Sequence, residues 1–236
     1  MGEAMQLRVQ CLELIAPEVY RLDVGPVEPP LAWKPGQWAS LRLPVGPHPP
    51  LVRAYSLASP PDGTGIMPLI FDHVDGGLGS TYLKELGPGD EVEMGGVLGK
   101  FVLPEPLVGG ILFGARFTGA VPVRCIVRAL AQTENPPRVR LVQGARTRDG
   151  LLFLDEFAAL DRYAPWFSYH PILLEPEEGW NGPVGEELDL LRPLSAEEAP
   201  YVPMLSGVRE FTVPARAFFQ EERGFDRRAV RVEHYD

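Results

Sequence analysis

The strongest constraint on the fold is a change of pattern at Pro104-Glu105-Pro106, which has the composition of a linker. Before this point, short stretches that alternate apolar and polar residues are separated by Pro-Gly pairs, as in half-buried strands joined by turns. After it, short apolar runs alternate with helix candidates, which is typical of a parallel, doubly wound sheet. The sequence therefore predicts two domains, an antiparallel six-stranded β-barrel over residues 1–104 and an α/β domain over residues 105–236.

The individual elements follow from the same pattern. In the first domain, strands are predicted at 6–14, 19–24, 37–43, 53–58, 67–74 and 91–94. One short helix is expected from Ser80 to Leu86, with Ser80 as its N-cap. In the second domain, buried strands are predicted at 111–113, 139–142, 172–174 and 202–205, and helices at 121–130, 151–160 and 208–222.

The cysteine and histidine content limits the chemistry that the chain can perform alone. The two cysteines, Cys11 and Cys125, are too few for a disulfide framework, a four-thiolate zinc site or an iron–sulfur cluster. The four histidines lack the spacing of metal-binding helix motifs, so no metal site is expected at His48, His73, His170 or His234. Redox chemistry in this chain would therefore need an organic cofactor.

Charge and hydropathy exclude further classes of function. The formal net charge of −10 argues against nucleic-acid binding, because a phosphate backbone repels a carboxylate-rich surface. No apolar run approaches the ~18 residues that a membrane helix needs, and the first residues do not form a signal-peptide core, so we expect a soluble, cytoplasmic protein. Residues 175–198 contain eight acidic residues against Arg192 alone. This acidic stretch is either a solvated loop region or a docking surface for a basic partner.

The segment Arg53-Ala54-Tyr55-Ser56 lies on a predicted strand, where Arg53 and Tyr55 project to the same side. A guanidinium can bind a diphosphate, a phenol ring offers a flat face to an aromatic ring, and a serine hydroxyl can bond to a ring heteroatom. The combination suits a large, planar, phosphorylated ligand. Taken alone, the tetrapeptide is a weak signal, and it favours an ordinary strand with one exposed arginine and one packed tyrosine.

A glycine-rich segment, residues 76–81, runs into the predicted short helix. Backbone amides at a helix start can bind a diphosphate, and glycine lets a ligand approach the backbone closely. A flexible turn with a serine cap is the alternative. The later segment from Gly96 to Phe101 lacks the spacing of a P-loop, which argues against a nucleotide triphosphatase.

The order of these three segments, followed by a strand–helix domain, resembles the ferredoxin-NADP reductase family of flavoproteins over nearly the whole chain. The resemblance implies that Arg53 contacts the diphosphate of FAD, that Tyr55 lies against the flavin ring and that Ser56 is a catalytic residue near the reactive nitrogen. It also implies a second diphosphate contact from the turn at the helix start, formed by Gly77, Leu78, Gly79, Ser80 and Thr81. Tyr235 resembles the terminal aromatic residue that covers the other flavin face, the alternative being a packed terminal strand.

The motifs for the pyridine nucleotide are altered. The family's Gly-Thr-Gly-Ile-Ala-Pro turn aligns with residues 117–122, where Phe117 replaces a glycine. A bulky residue forced into the left-handed conformation there costs about 1–2 kcal/mol and obstructs the site. The family's Cys-Gly-Pro-Pro turn aligns with residues 206–209, which makes Ser206 a second catalytic candidate by resemblance. The remaining candidates for NADH binding are Thr118, Gly119, Gly144, Arg146 and Gly207.

The family's arginine for the 2′-phosphate is replaced by Glu175, so NADH is favoured over NADPH, unless Glu175 simply begins the acidic stretch. The leading hypothesis is an FAD-dependent oxidoreductase that passes electrons from NADH to a separate protein or a small-molecule acceptor. An acidic acceptor protein would need a local arginine cluster such as Arg223, Arg227 and Arg228. Two alternatives remain: a flavin-binding subunit or regulatory module that has lost the nucleotide, and a scaffold that only binds another protein. The oligomeric state follows from none of these patterns.

Overall fold

The computed structural model describes residues 4–197 and 200–235. The contacts between Cα atoms divide the chain into two compact units. The first comprises the residues up to 102 together with 124–129, and the second comprises 103–123 and the residues from 130 onward. The assignment of separate functions to 1–104 and 105–236 stays a prediction.

The first unit contains a six-stranded antiparallel sheet in the order β4-β3-β6-β1-β2-β5. Its strands are β1 (Met5–Ala16), β2 (Val19–Val24), β3 (Trp38–Leu43), β4 (Leu51–Ser56), β5 (Met67–Asp72) and β6 (Glu91–Leu98). A bridge between Leu57 and Leu69 links the two edges of the sheet. The predicted barrel fold is therefore confirmed, although no continuous ladder closes it.

The alternation that predicted these strands reflects their burial. In β1, Leu7 and Val9 are buried whereas Arg8 and Gln10 are exposed. The inward residues meet those of the other strands in one apolar core, which includes Leu22, Leu41 and Met67. This burial is the main stabilising contribution to the unit.

The short helix α1 spans Leu78–Lys84 and starts two residues before the predicted position. Its N-cap is Gly77, so the prediction of Ser80 as the N-cap was wrong. The Ser80 hydroxyl instead accepts a bond from the Val74 amide at 3.1 Å and donates to the Gly77 carbonyl at 3.3 Å. Ser80 thus folds the preceding turn back onto the first turn of the helix.

The second unit contains a five-stranded sheet in the order β11-β10-β7-β8-β9, with every neighbouring pair parallel. Its strands are β7 (Gly110–Arg116), β8 (Val139–Ala145), β9 (Phe167–Leu173), β10 (Tyr201–Val208) and β11 (Arg231–Tyr235). The helices are α2 (Ala120–Leu130), α3 (Leu154–Tyr163), α4 (Glu187–Glu197) and α5 (Arg209–Ala217). The predicted doubly wound α/β sheet is confirmed. The predicted helix over 208–222 is instead α5 followed by a wider turn at 218–222.

The acidic stretch is not only a loop region, because α4 begins within it. Leu191 and Leu194 of this helix are buried against residues of the sheet such as Leu112 and Val142. Glu198 and the side chain of Glu197 lie outside the described residues, as does Asp236. The acid-rich composition concealed an amphipathic helix in which Leu191 and Leu194 are buried and Leu188 and Leu190 are partly buried.

The helices within the described residues are all too short or too polar to cross a membrane. Within residues 4–197 and 200–235, no three histidine, cysteine, aspartate or glutamate side chains are grouped so that they could hold a metal ion. The cytoplasmic location stays a prediction.

Candidate functional site

The first candidate site lies on β4. Arg53 and Tyr55 pair with Leu41 and Ala39 of β3, so both project to the face that carries the apolar core. Arg53 is exposed, whereas Tyr55 is half-buried with its ring in edge contact with Phe71 at 5.9 Å. Burial raises the pKa of Tyr55 to about 12, so its phenol is neutral at physiological pH. Tyr55 therefore offers an apolar ring face on the same strand as an exposed guanidinium.

The glycine-rich turn lies directly beside Tyr55. A Cβ atom at Gly79 would lie 3.4 Å from the Tyr55 hydroxyl oxygen and 3.1 Å from Leu43. The two motifs predicted to bind FAD thus meet in one place, and only a residue without a side chain fits there without displacing a neighbour. The first intrahelical bond runs from the Thr81 amide to the Gly77 carbonyl at 3.0 Å. The amides of Leu78, Gly79 and Ser80 therefore have no intrahelical acceptor, as at any helix start.

Sequence reasoning missed the side chains that hold α1 in place. Glu18 accepts bonds from Lys84 of α1 at 3.1 Å and from His73 at 2.8 Å, and these partners lower the pKa of Glu18. The other ring nitrogen of His73 lies 3.4 Å from the Thr81 hydroxyl. These partners are up to 66 residues apart in the chain, so no local pattern could have revealed them.

The second candidate site lies at the carboxyl edge of the parallel sheet. From β7 the chain adds β8 and β9 on one side of the sheet, and it then returns to add β10 and β11 on the other side. The boundary between β7 and β10 is therefore a switch point, where ligands of doubly wound sheets bind. Phe117 follows β7 with φ 50°, which confirms the predicted left-handed conformation. A Cβ atom at Gly119 would lie 2.1 Å from the Ser206 carbonyl oxygen, so the turns after β7 and β10 touch. Thr118, Gly119, Ser206 and Gly207 therefore lie close together, and their contacts with a nucleotide stay a prediction.

Ser206 lies within a small polar cluster on β10 and β11. Its hydroxyl is buried and donates to the Tyr235 hydroxyl at 3.4 Å. Tyr235 belongs to β11, the terminal strand that the sequence offered as the alternative, and its contact with a flavin stays a prediction. Glu233 pairs with Ser206 across the two strands and was missed by sequence reasoning. Burial raises the pKa of Glu233 to about 7, so this carboxyl can hold or release a proton near neutral pH.

We expect Glu233 to make the stability of the protein depend on pH. The pKa of Glu233 is higher in the folded protein than the ordinary value of 4.5 in the unfolded chain. The stability that the protonated carboxyl contributes to the fold is therefore fully present below pH 4.5 and is lost as the pH rises through about 7. Glu233→Gln should therefore unfold at a higher temperature than the unmodified protein at about pH 8, with the difference vanishing in acid. Thermal unfolding across this pH range measures the effect, with Glu13→Gln, an exposed carboxyl, as the control. Parallel pH curves for Glu233→Gln and the unmodified protein would contradict it.

The remaining nucleotide candidates have partners within the chain. A Cβ atom at Gly144 would lie 2.0 Å from Oε1 of Glu187, so this glycine makes room for a buried carboxylate. Arg146 forms an exposed ion pair with Glu175, with Nε and Oε1 3.4 Å apart. Glu175, predicted to stand in place of a phosphate-binding arginine, therefore pairs with a nearby arginine, and its role in nucleotide binding stays a prediction. Direct nucleotide contacts of Gly144 and Arg146 stay predictions.

Comparison with known proteins matches a family model to the first unit and finds relatives that align over the whole chain. Residues 12–103 match the family model described as an oxidoreductase FAD-binding domain. The chain is 31% identical to ferredoxin-NADP reductase B of Sorangium cellulosum over 100% of this chain and 99% of that protein. It is 30% identical to the phenol 2-monooxygenase reductase component DmpP of a Pseudomonas species, over 74% of this chain but only 49% of that protein. The crystal structure of the Amycolatopsis reductase GcoB is similar with a TM-score of 0.82 and 27% identity, covering 99% of this chain and 71% of that one.

Proposed function

Since the chain belongs to the ferredoxin-NADP reductase family of FAD-binding oxidoreductases, we propose that it is an FAD-dependent reductase whose cofactor is held by Arg53, Tyr55 and Ser56 together with the turn at 77–81. The observation that carries this proposal is the close approach of Gly79 to Tyr55. It supports the proposal because the phenol of Tyr55 and the amides of the helix start are neighbours in the first unit, and Arg53 lies two residues before Tyr55 on the same strand.

Each of these residues has a distinct task. Arg53 and the amides of Leu78 and Gly79 neutralise and orient the diphosphate, and Tyr55 supports the ring system. Gly79 lets the start of α1 pack closely against Leu43 and Tyr55, so that the free amides lie near the phenol. When bound, FAD accepts electrons in pairs and can pass them on singly, which the side chains of this chain cannot do. Ser56 and Ser206 would orient the reacting groups, and Glu233 would hold a proton near Ser206.

We infer that NADH is the preferred electron donor. A dinucleotide at the edge of the parallel sheet would meet the Arg146–Glu175 pair, in which the positive charge is already compensated. The 2′-phosphate of NADPH would need that arginine unpaired and would be repelled by Glu175.

We expect Glu175→Gln to shift the preference towards NADPH. Removing the carboxylate releases Arg146 for the 2′-phosphate and removes about 1 kcal/mol of repulsion, which corresponds to about a fivefold change in the ratio of kcat/KM values. Glu178→Gln, which removes an exposed carboxylate of the same stretch, is the matched control. An unchanged ratio would show that Glu175 plays no part in donor selection.

We propose that the electrons leave to a separate acceptor protein, as the names of the reductase components among the relatives suggest. Arg227 and Arg228 are exposed and could contribute to a basic docking surface. The Arg223 guanidinium also donates to the Ser195 carbonyl at 2.6 Å, so this arginine binds a carbonyl in the last turn of α4.

An anaerobic titration of the purified protein with NADH and with NADPH, followed by visible absorbance, tests the proposed function. We expect the flavin absorbance to bleach with NADH and to respond less to NADPH. A flavin that neither nucleotide reduces would refute the reductase activity.

That second outcome would favour a flavin-binding subunit that has lost the nucleotide site. The left-handed Phe117 is the observation in favour of this alternative, because its side chain stands where the family has a glycine. In that case, the flavin would be reduced by a partner protein or a chemical reductant only.

A further inference from the structure

One arginine at the carboxyl edge of the parallel sheet is shared by two carboxylates. Arg116 is the last residue of β7, and its Nε donates to Oε1 of Glu187 at 2.8 Å. Its Nη2 donates to both Glu186 and Glu187. The guanidinium also lies 5.4 Å from the ring centroid of Phe211, and its side chain is only 12% exposed. The cluster therefore carries more negative than positive charge.

The two carboxylates are held very differently. The Glu187 side chain is completely buried and fills the space left by Gly144. Removing Arg116 from it would strand a buried charge, which is strongly destabilising. The Glu186 side chain is 66% exposed, and exposed ion pairs contribute little to stability. Glu187 is therefore the fixed partner of Arg116, and Glu186 is an exchangeable one.

The carboxylate of Glu186 is bonded to Arg116, which lies next to residues that the sequence predicts to bind a dinucleotide. Gly207 approaches Arg116 so closely that a Cβ atom there would lie 3.0 Å from the Arg116 carbonyl oxygen. Phe117 follows Arg116 directly and removes the glycine that would let a diphosphate reach the backbone. An anionic ligand at this edge would thus find a guanidinium in reach, with an exposed carboxylate already bound to it.

We propose that the Arg116 guanidinium binds the diphosphate of the dinucleotide, and that Glu186 is an internal carboxylate which the diphosphate displaces. The inference rests on the proposed function, in that a dinucleotide must bind at the edge of the second unit. A planar guanidinium is suited to phosphate oxygens, and it can bind the diphosphate in place of the backbone that the Phe117 side chain obstructs. Glu187 keeps Arg116 in place during the exchange, so the buried ion pair stays intact.

Calorimetric titration of the FAD-loaded protein with ADP-ribose tests the exchange, because this ligand carries the diphosphate but cannot donate a hydride. Glu186→Gln removes the competing charge and should bind ADP-ribose up to about fivefold more tightly than the unmodified protein. Adenosine, which lacks the diphosphate, should bind both proteins equally. Glu178→Gln is the control for a general loss of negative charge and should behave like the unmodified protein.

A second variant removes the binding group without leaving a buried charge unpaired. Arg116→Met combined with Glu187→Met replaces the pair by apolar side chains, and circular dichroism with thermal unfolding, compared with the unmodified protein, reports whether the second unit folds. Its affinity for ADP-ribose should fall at least about tenfold. The inference is overturned if Glu186→Gln binds ADP-ribose no more tightly than the unmodified protein, or if the double variant keeps its affinity. Reduction of the unmodified protein by NADH is measured separately. A failure of the proposed exchange at Arg116 can therefore be distinguished from a failure of the proposed reductase activity.

Discussion

Phe117→Gly is expected to raise kcat/KM for NADH by about five- to thirtyfold, the equivalent of about 1–2 kcal/mol of steric obstruction removed. Phe117 adopts φ 50° at the start of the turn between β7 and α2, a conformation that glycine adopts without strain. The substitution removes the ring from the place where the dinucleotide would contact the backbone, and this favours the nucleotide complex. It also relieves the backbone strain, which stabilises the free and the bound protein alike and so changes the stability of the fold, not the affinity.

Phe117→Ala separates the two effects. Alanine removes the ring but keeps a Cβ atom in the left-handed conformation, so the glycine variant should be more stable than the alanine variant by about 1–2 kcal/mol. Stopped-flow reduction by NADH and denaturant unfolding measure the two quantities. If the glycine variant is reduced no faster than the unmodified protein, Phe117 does not obstruct the donor site.

Arg53→Met is expected to weaken FAD binding by about ten- to a hundredfold. Arg53 is exposed on β4 beside Tyr55, and a hydrogen bond from a guanidinium to a phosphate contributes about 1.5–3 kcal/mol. The Arg53 guanidinium donates to the carbonyl of its chain neighbour Val52 at 2.9 Å. Because this bond is local and exposed, its removal should leave the fold intact.

The measurement is the dissociation constant of FAD, followed by the change in flavin fluorescence as the stripped protein is titrated. Arg8→Met, another exposed arginine of the first unit, controls for a general change of charge. Equal affinities for the Arg53 and Arg8 variants would remove Arg53 from the cofactor site.

The local patterns in the sequence predicted most of the fold because they reflect burial directly. The two-residue alternation of β1 and the apolar runs of β7 and β8 are consequences of which side chains face the core. The family resemblance is confirmed by the match over residues 12–103 and by the relative that aligns over the full chain. The predicted start of α1 was wrong because serine is the more usual N-cap residue, whereas a glycine holds that position here.

The elements that sequence reasoning missed depend on pairs of residues that are distant in the chain. Helix α4 was hidden by its acidic composition, and the partner of its first residue, Arg116, lies 71 residues earlier. The raised pKa of Glu233 results from its burial, and its position opposite Ser206 results from the register of β10 and β11, neither of which the sequence pattern shows. Such contacts are set by the packing of the sheet and leave no periodic signal in the sequence.

The most direct test of the central claim, that the region around Tyr55 and Gly79 holds FAD, is the cofactor content of the purified protein. We expect a yellow protein that releases FAD on denaturation, in stoichiometric amount, and that takes it up again after stripping. A colourless protein that binds no FAD on prolonged incubation would contradict this claim.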